Sequence, residues 1–171
     1  LTQFSHFIDI LYWVFGDVAN VHATFSNFNH QEQIEFEDSG MVTFDFVKGG
    51  KGSINYSISC WEQNMESSIT VIGEKGCLKV GGQYMNEISY FNVKDMEKPD
   101  LAATNPPNSY DGFMGSAGNH YQFLHDVIDH LKGRKSNGTN AYEAAKVVEI
   151  IDKTYQHRDL KELKAKANVN R

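Results

Sequence analysis

The chain has 171 residues, of which 40% are hydrophobic, 22% are charged and 12% are aromatic, and its formal net charge is −6 at pH 7. This length favours one domain with its own core, and an acidic chain without a basic run is not expected to bind nucleic acid or an anionic membrane. No stretch approaches the roughly 18 apolar residues of a membrane span. The chain has two cysteines, Cys60 and Cys77. We expect both to be buried free thiols in a protein of the reducing cytoplasm.

The first predicted element is a helix at the start of the chain. Its apolar residues recur at helical spacing: Phe4, Phe7, Ile10, Leu11, Val14 and Phe15. Gly16 suits the position that follows a helix. Ile8 and Trp13 add apolar surface on the opposite side, so the helix should be covered on most sides. His6 and Asp9 are polar residues that argue against a signal peptide. A helix this apolar suggests that the chain is a piece of a longer protein.

Strands are predicted from Val18 to Val93. Apolar and polar residues alternate over residues 41–48 and again over 53–60, so each of these strands should have one apolar and one polar face. Glycine-rich turns at 49–52 and 73–76 predict hairpins. Because consecutive hairpins pair neighbouring strands in opposite directions, we expect an open, mostly antiparallel sheet.

Two more helices are predicted after residues 94–118, a stretch that holds all three prolines and is expected to be a long irregular loop. The apolar face of the first is Tyr121, Leu124, Val127, Ile128 and Leu131, before Gly133. The apolar face of the second, capped by Asn140 or Thr139, is Ala144, Val147, Val148, Ile151 and Tyr155. We therefore predict an α+β domain over residues 1–158, with helices packed on one face of the sheet, and a charged tail over 159–171.

Histidines are the main candidates for chemistry. His120, His125 and His130 follow one another at intervals that turn their rings about 140° apart on a helix, so they cannot share a metal ion, and no other pattern predicts a metal site. His6 lies in the first turn of an apolar helix, where the helix dipole favours the neutral imidazole that a general base needs. A buried histidine satisfied by a neighbour is the alternative. No G-x-G-x-x-G links a strand to a helix, so the chain has no dinucleotide fold of its own.

Three motifs occur in a fixed order along the chain. Residues 1–16 contain H-x-x-D-x-x-x-W-x-x-G, residues 73–78 contain G-x-x-G-x-L, and Gly115-Ser116 with Asn119-His120 precede a helix. Together they resemble the C-terminal domain of the glucose–fructose oxidoreductase/inositol dehydrogenase family. The third motif is similar to the subgroup that acts on nucleotide-linked N-acetyl sugars. The resemblance covers about residues 1–158.

The resemblance implies a parent enzyme whose N-terminal Rossmann domain, absent here, binds NAD or NADP. It implies that His6 is the catalytic histidine, which assists proton transfer at the secondary hydroxyl that is oxidised. It also implies that Asn119 and His120 contact the substrate. Thr2, followed by Gln3, stands where many members carry an acidic residue, which favours a sugar nucleotide over a polyol or inositol. The family's catalytic lysine belongs to the N-terminal domain, so Lys98 of the Glu-Lys-Pro loop should not take that role.

Two functions remain open at this point. The first is the substrate domain of a cytoplasmic NAD(P)-dependent oxidoreductase that acts on a sugar or sugar nucleotide. The second is a non-catalytic binding or assembly module that associates through its sheet, because Ser53, Asn55, Ser57 and Ser59 form a small, uncharged face. Both predict a homo-oligomer formed through the sheet.

Overall fold

Helices and antiparallel strands make up the regular part of the computed structural model. It describes residues 1, 4–62, 65–103, 105–110, 113–135 and 138–158, and for 107, 110 and 113–117 it describes the backbone alone. Thr2, Gln3 and the predicted tail at 159–171 lie outside the described residues. In chain order the elements are α1 (Ser5–Phe15), β1 (Val18–Ser26), β2 (Ser39–Phe46), β3 (Lys51–Ser57), β4 (Ile69–Gly73), β5 (Gly76–Gly81), β6 (Glu87–Val93), β7 (Pro107–Tyr110), β8 (Phe113–Ala117), α2 (His120–Leu131) and α3 (Ala141–Gln156).

The chain divides into two compact units. Unit 1 consists of residues 1–61 and the residues from Thr139 onward, and unit 2 consists of residues 62–138. Unit 1 therefore contains α1, α3 and a three-stranded sheet of order β1-β2-β3, in which both pairings are antiparallel. The alternation predicted for residues 41–48 is confirmed, because Val42 and Phe44 are buried whereas Met41 and Thr43 are exposed.

The hairpin predicted between β2 and β3 is also confirmed. Gly49 and Gly50 have positive φ angles of 101° and 105°, a conformation that glycine adopts without the steric penalty of a side chain. β3 ends at Ser57, so the chain has left the sheet before it reaches Cys60. Cys60 is consequently exposed, and the prediction of a buried thiol at this position is wrong.

The hydrophobic core of unit 1 lies between its helices and one face of its sheet. Among the described residues, the buried members are Leu1, Ile8, Val18, Val21, Ala23, Val42, Phe44, Val147 and Ile150. Burial of a side chain of this size contributes about 1.5–3 kcal/mol, so this cluster holds α1 and α3 against the strands. The outer face of α1 is different, because Trp13 and Val14 are 78% and 52% exposed. The expectation that α1 is covered on most sides is not met in this structure.

The start of α3 is fixed by a capping box. The side chain of Asn140 accepts a hydrogen bond from the backbone N–H of Glu143, and the Glu143 carboxylate accepts one from the backbone N–H of Asn140, both at 3.0 Å. Asn140 is thus the cap, rather than Thr139. The Thr139 hydroxyl donates instead to Asp9 Oδ2 at 3.0 Å, which connects α1 to the residue that precedes the cap of α3.

Unit 2 contains two antiparallel sheets, of order β4-β5-β6 and β7-β8, followed by α2. The hairpin predicted at 73–76 joins β4 to β5 and is confirmed. The prediction that 94–118 is irregular is wrong in part, because β7 and β8 pair within it. Pro107 begins β7, and the first residue of a strand is a position where proline is tolerated. The helices and antiparallel strands confirm the predicted α+β class. The described strands form three sheets rather than the one open sheet that was expected, and α2 has no buried side chain.

Candidate functional site

His6 lies in the first turn of α1 and its side chain is exposed. Its ring centroid is 4.3 Å from that of Phe7. Partial burial of the imidazole lowers the pKa of His6 below its usual value, so the neutral ring predominates near pH 7. The exposure of His6 argues against a core histidine, and a neutral ring open to solvent can accept a proton.

Asp9, one turn further along α1, does not act on His6. Its Oδ2 accepts the hydrogen bond from Thr139 described above. The i,i+3 spacing of His6 and Asp9 in the sequence allowed a contact between them, but the observed bond assigns Asp9 to the packing of unit 1.

A polar cluster around Glu37 holds the chain just before α1. Glu37 Oε1 accepts hydrogen bonds from the backbone nitrogen of Leu1 at 2.5 Å, from the Tyr155 hydroxyl at 2.5 Å and from the Tyr56 hydroxyl at 2.9 Å. Burial alone would raise the pKa of Glu37, but these hydrogen bonds outweigh it and keep the pKa below its usual value. Burial and the nearby Glu37 carboxylate raise the pKa of Tyr56, so Tyr56 remains a donor.

A second buried carboxylate, Asp38, follows Glu37 but faces a different part of unit 1. Asp38 Oδ2 accepts hydrogen bonds from the backbone N–H groups of Phe28 and Asn29, both at 2.9 Å, and lies 3.2 Å from Nδ1 of His30. Burial opposes ionisation, yet the hydrogen bonds hold the pKa of Asp38 far below its usual value. Asp38 therefore fixes the loop between β1 and β2. Sequence reasoning missed both carboxylates, because neither of them belongs to a motif that pairs it with its partners.

The substrate-binding residues suggested for unit 2 lie side by side at the start of α2. His120 is the first residue of the helix and Asn119 precedes it, and both are exposed. Asn105 Nδ2 donates to Asn119 Oδ1 at 3.0 Å and to the backbone oxygen of Gly118 at 3.4 Å. The Asn119 amide is thereby oriented with its oxygen towards Asn105. Sequence reasoning missed Asn105, which lies in the stretch predicted to be a loop.

Two other basic residues have structural partners within unit 2. The Nε2 atom of His125 lies 2.9 Å from the Tyr121 hydroxyl on the same helix, and both side chains are exposed. Lys98 Nζ donates to the backbone oxygen of Ile88 at 2.9 Å. Lys98 lies in a loop, as the Glu-Lys-Pro motif predicted. Within the described ranges, no three His, Cys, Asp or Glu side chains come together as a metal site would require.

The face of the β1–β3 sheet that points away from the core is open and mostly uncharged. Its cross-strand rows are Ser26–Ser39–Ser57, Thr24–Met41–Asn55 and His22–Thr43–Ser53. Met41 is 61% exposed at the centre of these rows. The charged side chains of this face lie at one end, where Lys51 forms an ion pair with Asp45. The polar face predicted from Ser53, Asn55, Ser57 and Ser59 is confirmed for the first three residues and is wrong for Ser59, because β3 ends at Ser57.

The chain matches known domains over most of its length. Residues 1–79 match the sequence model of the GFO/IDH/MocA C-terminal domain. The WlbA dehydrogenase from Bordetella pertussis, solved with NADH and UDP-GlcNAcA, is 28% identical with a TM-score of 0.70, over 91% of this chain and 40% of that chain. WlbA from Chromobacterium violaceum, solved with the same two molecules, is 29% identical with a TM-score of 0.70, over 91% of this chain and 42% of that chain.

A more distant match shares the fold alone. An inositol dehydrogenase homologue from Azotobacter vinelandii is 13% identical with a TM-score of 0.61, over 90% of this chain and 45% of that chain. No curated protein matches the chain. No described helix combines the length and apolar composition that crossing a bilayer requires. The chain spans about 40% of the length of the two WlbA dehydrogenases. The match over residues 1–79 and the likeness to WlbA over nine-tenths of the chain make this chain similar to the GFO/IDH/MocA C-terminal domain.

Proposed function

We propose that this chain is the substrate domain of an NAD(P)-dependent oxidoreductase that oxidises a secondary hydroxyl of a sugar nucleotide. The observation that carries the proposal is the exposed, neutral His6 at the start of α1, in a chain similar to dehydrogenases solved with NADH and UDP-GlcNAcA. A general base must reach the hydroxyl proton, and an imidazole with a lowered pKa is unprotonated at neutral pH. We also propose that residues 1–158 act as one domain in a cytoplasmic protein.

His6 would perform the proton transfer of this reaction. Its neutral imidazole accepts the hydroxyl proton as the carbonyl forms, becomes an imidazolium ion, and later releases the proton to solvent. Removing a hydride from the same carbon requires the nicotinamide of the cofactor as acceptor. Asn119 and His120, together with Thr2 and Gln3, would bind the sugar nucleotide.

The residues of this chain do not fit a dinucleotide site by themselves. Every strand pairing in the three described sheets is antiparallel, whereas a dinucleotide-binding unit is built on parallel strands joined by a helix. We therefore assign cofactor binding to another part of the parent protein. Activity of the purified full-length protein towards UDP-GlcNAcA, followed by the absorbance of the reduced nicotinamide, tests the proposal. Absence of turnover with this compound and with free sugars would contradict it.

The cofactor assignment predicts a difference between the isolated chain and the full-length protein. By calorimetry, residues 1–171 alone should show no saturable binding of NADH or NADPH, whereas the full-length protein should bind one of them. The reason is that the sequence has no G-x-G-x-x-G turn between a strand and a helix, and that the strands among the described residues pair only in the antiparallel sense, whereas a pyrophosphate site needs both features. A low-micromolar Kd for the isolated chain would overturn this assignment.

We further propose that the open face of the β1–β3 sheet forms the interface of a homo-oligomer. Thr43 lies on this face between His22 and Ser53. A Thr43→Glu substitution should reduce the oligomer mass measured by light scattering, because symmetry brings the new charges of two subunits close together. Thr70→Glu, the same change at an exposed position on β4, is the control and should leave the mass unchanged. A monomeric wild-type protein at about 100 µM would contradict the proposal, since even weak association is detected there.

A further inference from the structure

We propose that Glu37 is a positioning residue for His6, because its carboxylate fixes the backbone from which α1 starts. The inference rests on the proposed function, since it assigns Glu37 a part in the same proton transfer. Glu37 precedes β2 and none of the sequence motifs includes it.

The Glu37 carboxylate is held in unit 1 by hydrogen bonds from three separate segments of the chain. The Glu37 side chain is 7% exposed, and a single oxygen, Oε1, receives donors from the start of the chain, from β3 and from α3. The donor from the start of the chain is the terminal ammonium of Leu1, whereas the donors that do not depend on a chain terminus are the hydroxyls of Tyr56 and Tyr155. Hydrogen bonds to a charged acceptor are stronger than those between neutral groups, so the carboxylate holds these three segments in place.

Two chains of contacts lead from Glu37 to Phe4, the residue directly before α1. In the first, Glu37 binds the nitrogen of Leu1, and the oxygen of Leu1 accepts the backbone N–H of Phe4 at 2.8 Å. In the second, Glu37 binds the Tyr56 hydroxyl, and the Tyr56 ring lies 4.9 Å from the ring of Phe4, centroid to centroid. Phe4 is two residues before His6. A shift of Glu37 therefore reaches His6 through both the backbone and the ring contact.

The start of α1 depends on these contacts because it lacks a local cap. Phe4 occupies the N-cap position, makes no side-chain hydrogen bond there, and the first turn contains no acidic residue. A helix normally begins with a Ser, Thr, Asp or Asn side chain that binds the first free N–H groups. In α1 the direction of the first turn is set instead by Leu1, Tyr56 and their common acceptor, Glu37.

Asp38 provides a matched comparison for a purely structural role. It is the adjacent residue, it is fully buried, and its carboxylate also receives several hydrogen bonds. Its partners are residues 28–30 together with Ser39 and Ser59, and none of them belongs to α1. Loss of the Asp38 charge should destabilise unit 1 without displacing His6. Loss of the Glu37 charge should affect the reaction as well.

The test measures kcat and KM of the full-length protein for Glu37→Gln, Asp38→Asn, His6→Asn and the double variant His6→Asn/Glu37→Gln. We expect Glu37→Gln to lower kcat by about 10- to 100-fold with KM within about threefold, since a misplacement of about 1 Å can cost that much. Asp38→Asn should lower the Tm and leave kcat within about threefold. In the His6→Asn background, Glu37→Gln should lower kcat by less than about threefold, because residues that act as a unit are not additive.

Equal losses of kcat in Glu37→Gln and Asp38→Asn would overturn the inference, and so would a Glu37→Gln effect that is unchanged in the His6→Asn background. Failure of the proposed function has a different signature, in which His6→Asn itself retains the wild-type kcat. If Glu37→Gln does not fold, Tyr155→Phe replaces it, because this variant removes one donor and keeps the carboxylate. Tyr155→Phe should lower kcat less than Glu37→Gln is expected to, and its effect should also disappear in the His6→Asn background.

Discussion

Replacing His6 with Asn in the full-length protein should lower kcat by about 10²–10⁴-fold and leave KM nearly unchanged. Asparagine keeps a polar side chain at this exposed position but cannot accept the hydroxyl proton. Since the imidazole acts on charge that develops in the transition state, its loss should affect turnover far more than substrate binding. Steady-state kinetics with the sugar nucleotide and the oxidised cofactor measure both constants.

The pH dependence of kcat/KM provides a second readout for His6. Partial burial lowers the pKa of His6, so the wild-type rate should fall only when the pH drops below the usual histidine range. The His6→Asn variant should lack this acidic decline. His125→Asn is the control, because His125 is exposed on α2 and bonds Tyr121 of the same helix. Wild-type kcat in the His6 variant would show that His6 is not the base.

Replacing Asp38 with Ala should lower the free energy of unfolding by about 2–3 kcal/mol. The substitution removes the acceptor shared by the N–H groups of Phe28 and Asn29 and by the ring of His30. These donors hold the loop between β1 and β2, so they would lose their partner next to the core of unit 1. Urea denaturation measures the loss. Asp45→Ala, which removes a partly exposed carboxylate on β2 that pairs with Lys51, should have a smaller effect.

The difference between wild type and Asp38→Ala should depend on pH in a defined direction. The pKa of Asp38 is depressed in the folded state relative to the unfolded value near 3.9, so its stabilising contribution is present above about pH 4 and is lost as the pH falls. The gap between the two unfolding free energies should therefore narrow on acidification below about pH 4. A gap that is constant from pH 7 to about pH 3 would contradict the role of the ionised carboxylate.

Local patterns in the sequence were sufficient for most of the regular structure. α1, the β2–β3 hairpin and the cap of α3 at Asn140 each depend on residues within a few positions of one another. Periodicity and turn glycines therefore predict them. The β7–β8 pair was missed because prolines are typical of loops, although Pro107 is tolerated at the start of a strand.

The supports of the candidate site could not be predicted in the same way. Glu37 binds Leu1 and Tyr155, which are separated from it by 36 and 118 positions in the sequence. No local sequence pattern predicts such residue pairs, because only tertiary packing brings them together. His6 was found through its motif, whereas its exposure became known only from the structure. The predicted contacts of Thr2 and Gln3 stay predictions, because both residues lie outside the described part of the chain.

The discontinuous make-up of unit 1 sets the order in which the nascent chain can fold. Its core joins Ile8 near one end of the sequence to Ile150 near the other, with all of unit 2 encoded in between. During synthesis from the N-terminus, the apolar side of β1 and β2 cannot be covered by α3 until Ile150 has left the ribosome. Unit 2 is built from hairpins between neighbouring strands, so its contacts close over short loops and form early. Unit 2 can thus fold during synthesis before α3, the last helix of unit 1, has left the ribosome.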